Sequence, residues 1–356
     1  MASGSQVALK ASRPTINVDG EDKPELSDGL LSMIIEENTA GLYRCEALFG
    51  NWGSVDNSVG FLYFDRRTLD FGKSFKIKIG TDTIFDGRIM GLEAQFADGR
   101  APALNILAED RFQDLRMTRR TRTFNDVSDA DVINQIANEH GLTANVEVSG
   151  PQYKVLAQVN QSNLAFMRDR ARAIDAELWM EGRALNAKLR PDRNRSTLEL
   201  TYGARLFEFS VLADLDGQRT SVTANGWDVS SKSALTHEAT DSVISGELNG
   251  DESGPSILNS VIGERKESLA HGVPLSSQEA QALAESFFKA SARRFVVGRG
   301  IAETDSKLRV GGFVDLRGLG PLFNGKYYLC EVRHLFDGSH GIRTEFTGER
   351  PGIARP

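Results

Sequence analysis

Five histidines (His140, His237, His271, His334, His340) and two cysteines (Cys45, Cys330) are the side chains from which a metal centre or nucleophilic site would be assembled. Their spacing contains no H-E-x-x-H and no H-x-H, and with only two cysteines, far apart, a zinc site is not expected. His334 falls in an alternating, strand-like stretch, where a structural hydrogen-bonding role is expected. Each cysteine lies among apolar neighbours, far from the other; two buried thiols or one disulfide remain open. Asp214-Leu215-Asp216-Gly217 resembles part of a calcium loop but lacks the third acidic ligand and the distal glutamate, so it reads as a hairpin turn. The glycines of VGRG and VGGFVDLRGLG sit in neither a P-loop nor a strand–GxGxxG–helix context and read as turns. No G-x-S-x-G elbow occurs. Glu36-Glu37 could suggest a hydrolase, but glycosidase carboxylates face each other across about 5–9.5 Å. Adjacent strand residues point to opposite faces. No catalytic, cofactor-binding or metal-binding residue is therefore assigned, and no cofactor is expected.

One basic run remains. RFQDLRMTRRTR concentrates Arg111, Arg116, Arg119, Arg120 and Arg122. With little aromatic interleaving, in a chain of net charge -7 and pI near 5.4, it is a poor nucleic-acid site. A solvated face or an intersubunit ion-pair strip is expected instead. The 356 residues suggest two or three compact units, and 34 glycines favour turns and strands. No stretch approaches the roughly 20 apolar residues of a membrane span, and the N-terminus shows no apolar core of signal-peptide length. Assembly in the cytoplasm is the expectation.

The elements that would position any site fall into blocks. Residues 1–13 read as a disordered tail. Residues 14–118 read as strands: an extended segment to Asp19-Gly20, two apolar runs from Leu26, the alternating FKIKIG, then FDGRIMGLEAQFADG and PALNILAEDR. Residues 119–195 read as an α/β unit. Its first helix is capped by Ser128 and ended by Gly141, and a strand pair forms around VEV and YKVLAQVN. A second helix starts near Ser162, and a hairpin turns at Glu181-Gly182. Residues 196–275 read as a β-rich connection with a polar surface loop at about 241–272. Residues 276–356 begin with a helix carrying a Ser276/Glu279 capping box and an apolar stripe of Ala280, Leu283, Ala284, Phe287 and Phe288, followed by strands.

Two distant segments look alike. Phe85-Asp86-Gly87-Arg88, a strand, Phe96 and Asp98-Gly99 match Phe323-Asn324-Gly325-Lys326, a strand, Phe336 and Asp337-Gly338. The offset is 238 at Gly87/Gly325 and 239 at Gly99/Gly338, and acidic-arginine pairs follow at Asp110-Arg111 and Glu349-Arg350. Each copy reads as an F-[DN]-G-[KR] turn, a strand, a D-G hairpin turn and a returning strand. A duplicated small β-barrel with the α/β block between its copies is the expectation. Two barrels per chain would let a trimer present six modules.

From Gly87 to Arg190 the chain resembles the phage late control D proteins and the hub portion of the VgrG proteins of type VI secretion. The segments carrying the resemblance are GRIMGLEAQF, LAEDRFQDLR, RTFNDVSDADVINQIANEHGL, QVNQSNLAFMRDRARAIDAELWMEG and ALNAKLR. The C-terminal stretch resembles the family's second barrel through G-K-Y-Y-L, Val332 and His334, and Gly341 and Thr344. The resemblance implies an α+β, mainly β fold of two related barrels with an inserted α/β region, forming a pseudo-hexameric ring as a homotrimer. It implies a non-enzymatic baseplate hub that joins a six-fold inner tube to a three-fold spike in a phage tail or contractile injection system. Partners would be two further copies, a tube initiator, other baseplate proteins and a spike, expected as a separate polypeptide because the sequence ends at Pro356. Neither nucleic acid nor a membrane span is expected. The other reading is a cell-wall-degrading tail enzyme on the same scaffold.

Overall fold

The computed structural model describes residues 13–355 except 56, 194, 195, 230 and 271, so His271 and most of the tail at 1–13 lie outside the described residues. The fold is α+β and mainly β. Six strands of the first half are β1 (Thr15–Val18), β2 (Leu30–Asn38), β3 (Arg44–Gly50), β4 (Ser74–Ile79), β5 (Asp82–Gln95) and β6 (Ala103–Glu109). They pair in the order β2-β3-β6-β5-β4-β1. Alternation sends Met33, Ile35, Cys45, Ala47, Phe49, Phe75, Ile77, Ile89, Ile106 and Ala108 to one core.

The α/β unit follows: β7 (Arg119–Ser128), α1 (Asp129–Glu139), β8 (Thr143–Glu147), β9 (Gln152–Ser162), α2 (Asn163–Ala173), β10 (Ala176–Glu181) and β11 (Ala184–Leu189). Ser128 caps α1 in a reciprocal box with Asp131, Gly141 follows the helix at φ 62°, and Ser162 caps α2. The expected pairing of VEV with YKVLAQVN does not occur. β8 runs parallel to β11, and β9 pairs with β7, which is formed by the second half of the basic run and the residues after it. The reason is burial. Phe124 alternates inward from that arginine-rich strand and stacks on Phe166 of α2, with ring centres 5.7 Å apart.

The second half contributes β12 (Thr197–Thr201) and β13 (Leu206–Ala213). A smaller layer then intervenes, with β14 (Ser221–Asp228), β15 (Ser233–Thr240), α3 (Gly254–Val261), β16 (Lys266–Leu269) and α4 (Ser277–Ala292). The half is completed by β17 (Val296–Glu303), β18 (Phe313–Arg317), β19 (Gly325–Asp337) and β20 (Gly341–Arg350). The polar stretch 241–272 is not a loop excursion. Ser253 caps α3, Pro255 opens it, Leu258 is buried, and β16 adds to β14. Ser276 caps α4, yet the Glu279 carboxylate accepts from the Leu275 N–H rather than closing the box on Ser276. Ala280, Ala284 and Phe288 of the α4 stripe are buried, while Phe287 remains largely exposed.

β12, β13, β17, β18, β19 and β20 repeat the first half in chain order and in sheet order, β13-β17-β20-β19-β18-β12. The irregularities repeat too. The β5–β6 ladder skips Met90 and the β19–β20 ladder skips Cys330, 240 residues later. The β2–β3 ladder skips Leu31 and the β13–β17 ladder skips Phe207. A bulge at the same place in two ladders is a specific structural feature rather than generic hairpin chemistry. The offset near this hairpin is therefore 240, not 238 or 239, and Arg88 opposite Glu109 corresponds to Tyr328 opposite Glu349. Phe85-Asp86-Gly87-Arg88 also lies inside β5 rather than in a turn, because Gly87 lets β6 approach: a Cβ there would strike the Glu109 carbonyl.

Candidate assembly interface

The chemistry-capable residues do not converge. No group of three or more histidine, cysteine, aspartate or glutamate side chains suited to a metal occurs among the described residues. His334 is fully buried, with Nδ1 2.9 Å from Thr344 Oγ1; burial and then Arg309 push its pKa down to about 3. Both cysteines are free. Burial pushes the Cys45 thiol up, and Cys330 up to about 12, so both are protonated and inert. Glu36 and Glu37 face opposite sides of β2, as alternation requires. Glu36 meets Arg44 at 2.8 Å and Arg333 at 3.1 Å on the outer face, whereas buried Glu37 pairs with Arg309 and accepts from the Val310 N–H at 3.2 Å. The basic run is satisfied within the chain. Arg116 pairs with Glu109, Arg120 and Arg122 pair with Glu139, and Arg119 donates to the Asn160 carbonyl. Arg116, Arg119 and Arg120 are at the same time exposed, as in a solvated face.

What the fold does bring together is sheet edges. β19 of the second half pairs antiparallel with β2 of the first, from Glu331 opposite Asn38 to Asp337 opposite Ser32. This ladder joins the halves into one thirteen-stranded sheet. Its inward side chains make a shared core: Phe336, 2% exposed, packs into the first half's cluster beside Met33 and Ile35. Arg309 bonded to Glu37 seals the rim. Removing either partner of such a buried pair would strand an uncompensated charge.

A second polar junction lies where the α/β unit meets both halves. Arg193 donates to Glu177 and to the Tyr43 hydroxyl, each at 2.7 Å, and lies over the Trp179 ring. Burial opposes its charge, but Tyr43 and Glu177 outweigh that and hold its pKa above the ordinary arginine value. Tyr328 donates to the same Glu177 at 2.6 Å, and Arg190 pairs with Glu349. Arg293 ties Asp175 to Glu247. Guanidinium forks suit such multi-partner roles, and these residues fix the units against one another. Sequence reasoning missed them, since their partners are scattered along the chain.

Several edges of the large sheet, the outer edge of β12 among them, carry no partner among the described strands, and two others lie in opposite halves of the chain. One is the Gly91–Gln95 end of β5, whose other edge is taken by β6. The other is the Glu208–Ala213 edge of β13 facing away from β17. Beside the first edge, Phe96 is 66% exposed within an aromatic cluster. Its ring lies 6.2 Å from Phe61 and 5.9 Å from Phe64, and Phe61 lies 5.1 Å from Trp52. Unpaired edges flanked by apolar side chains invite strand addition.

The same fold occurs in solved tail proteins. The 43 kDa tail protein of prophage MuSo2 from Shewanella oneidensis matches with TM-score 0.69 at 10% identity, over 95% of this chain and 98% of that one. The tail protein of Neisseria meningitidis MC58 gives TM-score 0.66 at 13% identity, over 96% and 97%. The E. coli c3393 protein, described as a type VI secretion component with structural similarity to the T4 tail proteins gp27 and gp5, gives 0.59 at 12%, over 96% and 79%. The architecture is thus that of phage-tail and tail-like secretion proteins. A family model described as the Alg8 N-terminal domain matches residues 16–337, and the chain belongs to that family. No curated protein matches it by sequence. Among the described residues, no helix is long and apolar enough to cross a membrane.

Proposed function

We propose that this chain is a structural hub subunit of a phage tail or contractile injection machine. It acts as a homotrimer that adapts a six-fold inner tube to a three-fold spike. The observation that carries this is the duplication: two six-stranded units per chain with one chain order, one sheet order and the same two bulges. Three chains would then offer six near-equivalent units to a hexagonal partner and three-fold symmetry to a trimeric one. The fold shared with tail proteins and with a type VI secretion component supports the setting. The partners of this reading are a spike, a tube initiator and neighbouring baseplate proteins, and the work done is geometric rather than catalytic.

Light scattering of the purified protein tests it. A mass of three 39.0 kDa chains, about 117 kDa, that then co-elutes with a trimeric spike is expected. A monomer that stays monomeric with spike present, or that clears purified peptidoglycan, would overturn the reading.

A further inference from the structure

The duplication also says where one copy should meet the next. Within the chain, β19 of the second unit pairs with β2 of the first. By the registers of the two hairpins, Gly91–Gln95 of β5 corresponds to Glu331–Leu335 of β19. By the matching bulges at Leu31 and Phe207, Ser32–Glu36 of β2 corresponds to Glu208–Leu212 of β13. Both counterparts are unpartnered edges. They belong to one chain but not to one junction, so one chain can offer β5 to a second copy and β13 to a third.

We propose that β5 of one copy pairs antiparallel with β13 of the next, reproducing between chains the β2–β19 ladder that joins the halves within a chain; this rests on the hub reading above. Transferring the register places Leu92 opposite Ala213, Ala94 opposite Val211, Gln95 opposite Ser210 and Phe96 opposite Phe209. The side-chain pattern agrees. In the intrachain ladder the inward pairs are Val332/Glu37, His334/Ile35 and Phe336/Met33, all buried. Their counterparts, Leu92/Ala213, Ala94/Val211 and Phe96/Phe209, are apolar on both edges, none is fully buried in the single chain, and Phe96 and Ala94 are exposed. The outward counterparts include Glu93, Gln95, Ser210 and Glu208. The contact is heterologous, so it propagates head to tail and closes only as a ring. Phe96 would then enter the neighbour's second core as Phe336 enters the first core of its own chain.

Cysteine pairing reads the register. The Thr39 N–H to Cys330 carbonyl bond sets the phase of the intrachain ladder, which makes Leu335/Ile34, and hence Gln95/Ser210, a close non-hydrogen-bonded pair. Oxidation of the full chain carrying Gln95→Cys and Ser210→Cys should give covalent species up to three chains on a non-reducing gel. Either single variant, and an Ala94→Cys/Ser210→Cys control whose thiols face opposite sides, should not. All three positions are exposed, so the chain's own packing is spared. Independently, Phe96→Asp should raise the assembly's dissociation constant about thirtyfold or more, as for a buried aromatic anchor, with the unfolding midpoint of the isolated chain unchanged. A trimer by light scattering in which the Gln95/Ser210 pair cross-links no better than the control would overturn this pairing and leave the hub reading standing. A chain that, with spike present, neither cross-links nor rises above monomer mass would overturn both.

Discussion

Phe96 and Phe336 occupy the same position in the two copies of the duplicated unit, yet one is 66% exposed and the other 2%. The difference does not come from the hairpins, which share a register and a bulge. It comes from what lies across the edge: β2 pairs along the second copy, and no described strand pairs along the first. The copies differ elsewhere in ways that leave this edge alone. β1 runs antiparallel to β4, whereas β12 runs parallel to β18, and the layer carrying α3 and α4 interrupts only the second copy. One scaffold thus serves once as an internal joint and once as an open end.

Perturbing the joint should show how much it holds. Arg309→Ala leaves Glu37 buried without its partner and should cost about 4 kcal/mol of stability in urea unfolding. Phe336→Ala removes a ring from the shared core and should cost about 3 kcal/mol, while Phe96→Ala should change the stability of the isolated chain by less than about 0.5 kcal/mol. Equal losses at the two phenylalanines would break the comparison.

The joint also carries a proton switch that the open edge lacks, since the counterpart of His334 is Ala94. Folded His334 stays neutral down to about pH 3, whereas the unfolded chain protonates it near 6.5. As pH falls below 6.5 the unfolded state therefore gains a proton that the folded state refuses, and stability drops until about pH 3. Between pH 7 and 5 the loss should be about 2 kcal/mol, and His334→Gln should flatten that part of the curve in paired denaturation series. A control lies outside both copies. Ser128→Ala should cost about 1 kcal/mol through the α1 cap and leave the mass of the assembly unchanged.

Local features were legible in the sequence. The caps at Ser128 and Ser276 follow from short polar side chains before periodic apolar runs, the helix start near Ser162 was also readable, and the opposed faces of Glu36 and Glu37 follow from strand alternation. The duplication was visible but slipped, because the F-[DN]-G-[KR] match aligns residues inside β5 with residues at the start of β19, two positions out of the register that the ladders set. The 241–272 stretch was misread because glycine, serine and aspartate there serve as cap and turns for a short helix whose buried contact is Leu258. The joint was illegible. Arg309 and Glu37 are 272 residues apart, and nothing local distinguishes a pairing edge from a free one.

End-on electron microscopy of the purified assembly tests the central claim most directly. The account predicts a closed ring of six similar lobes with true three-fold symmetry, because each of three chains supplies two copies of one unit. A two-fold particle, an open filament or a ring whose lobe number is not twice its chain number would contradict it.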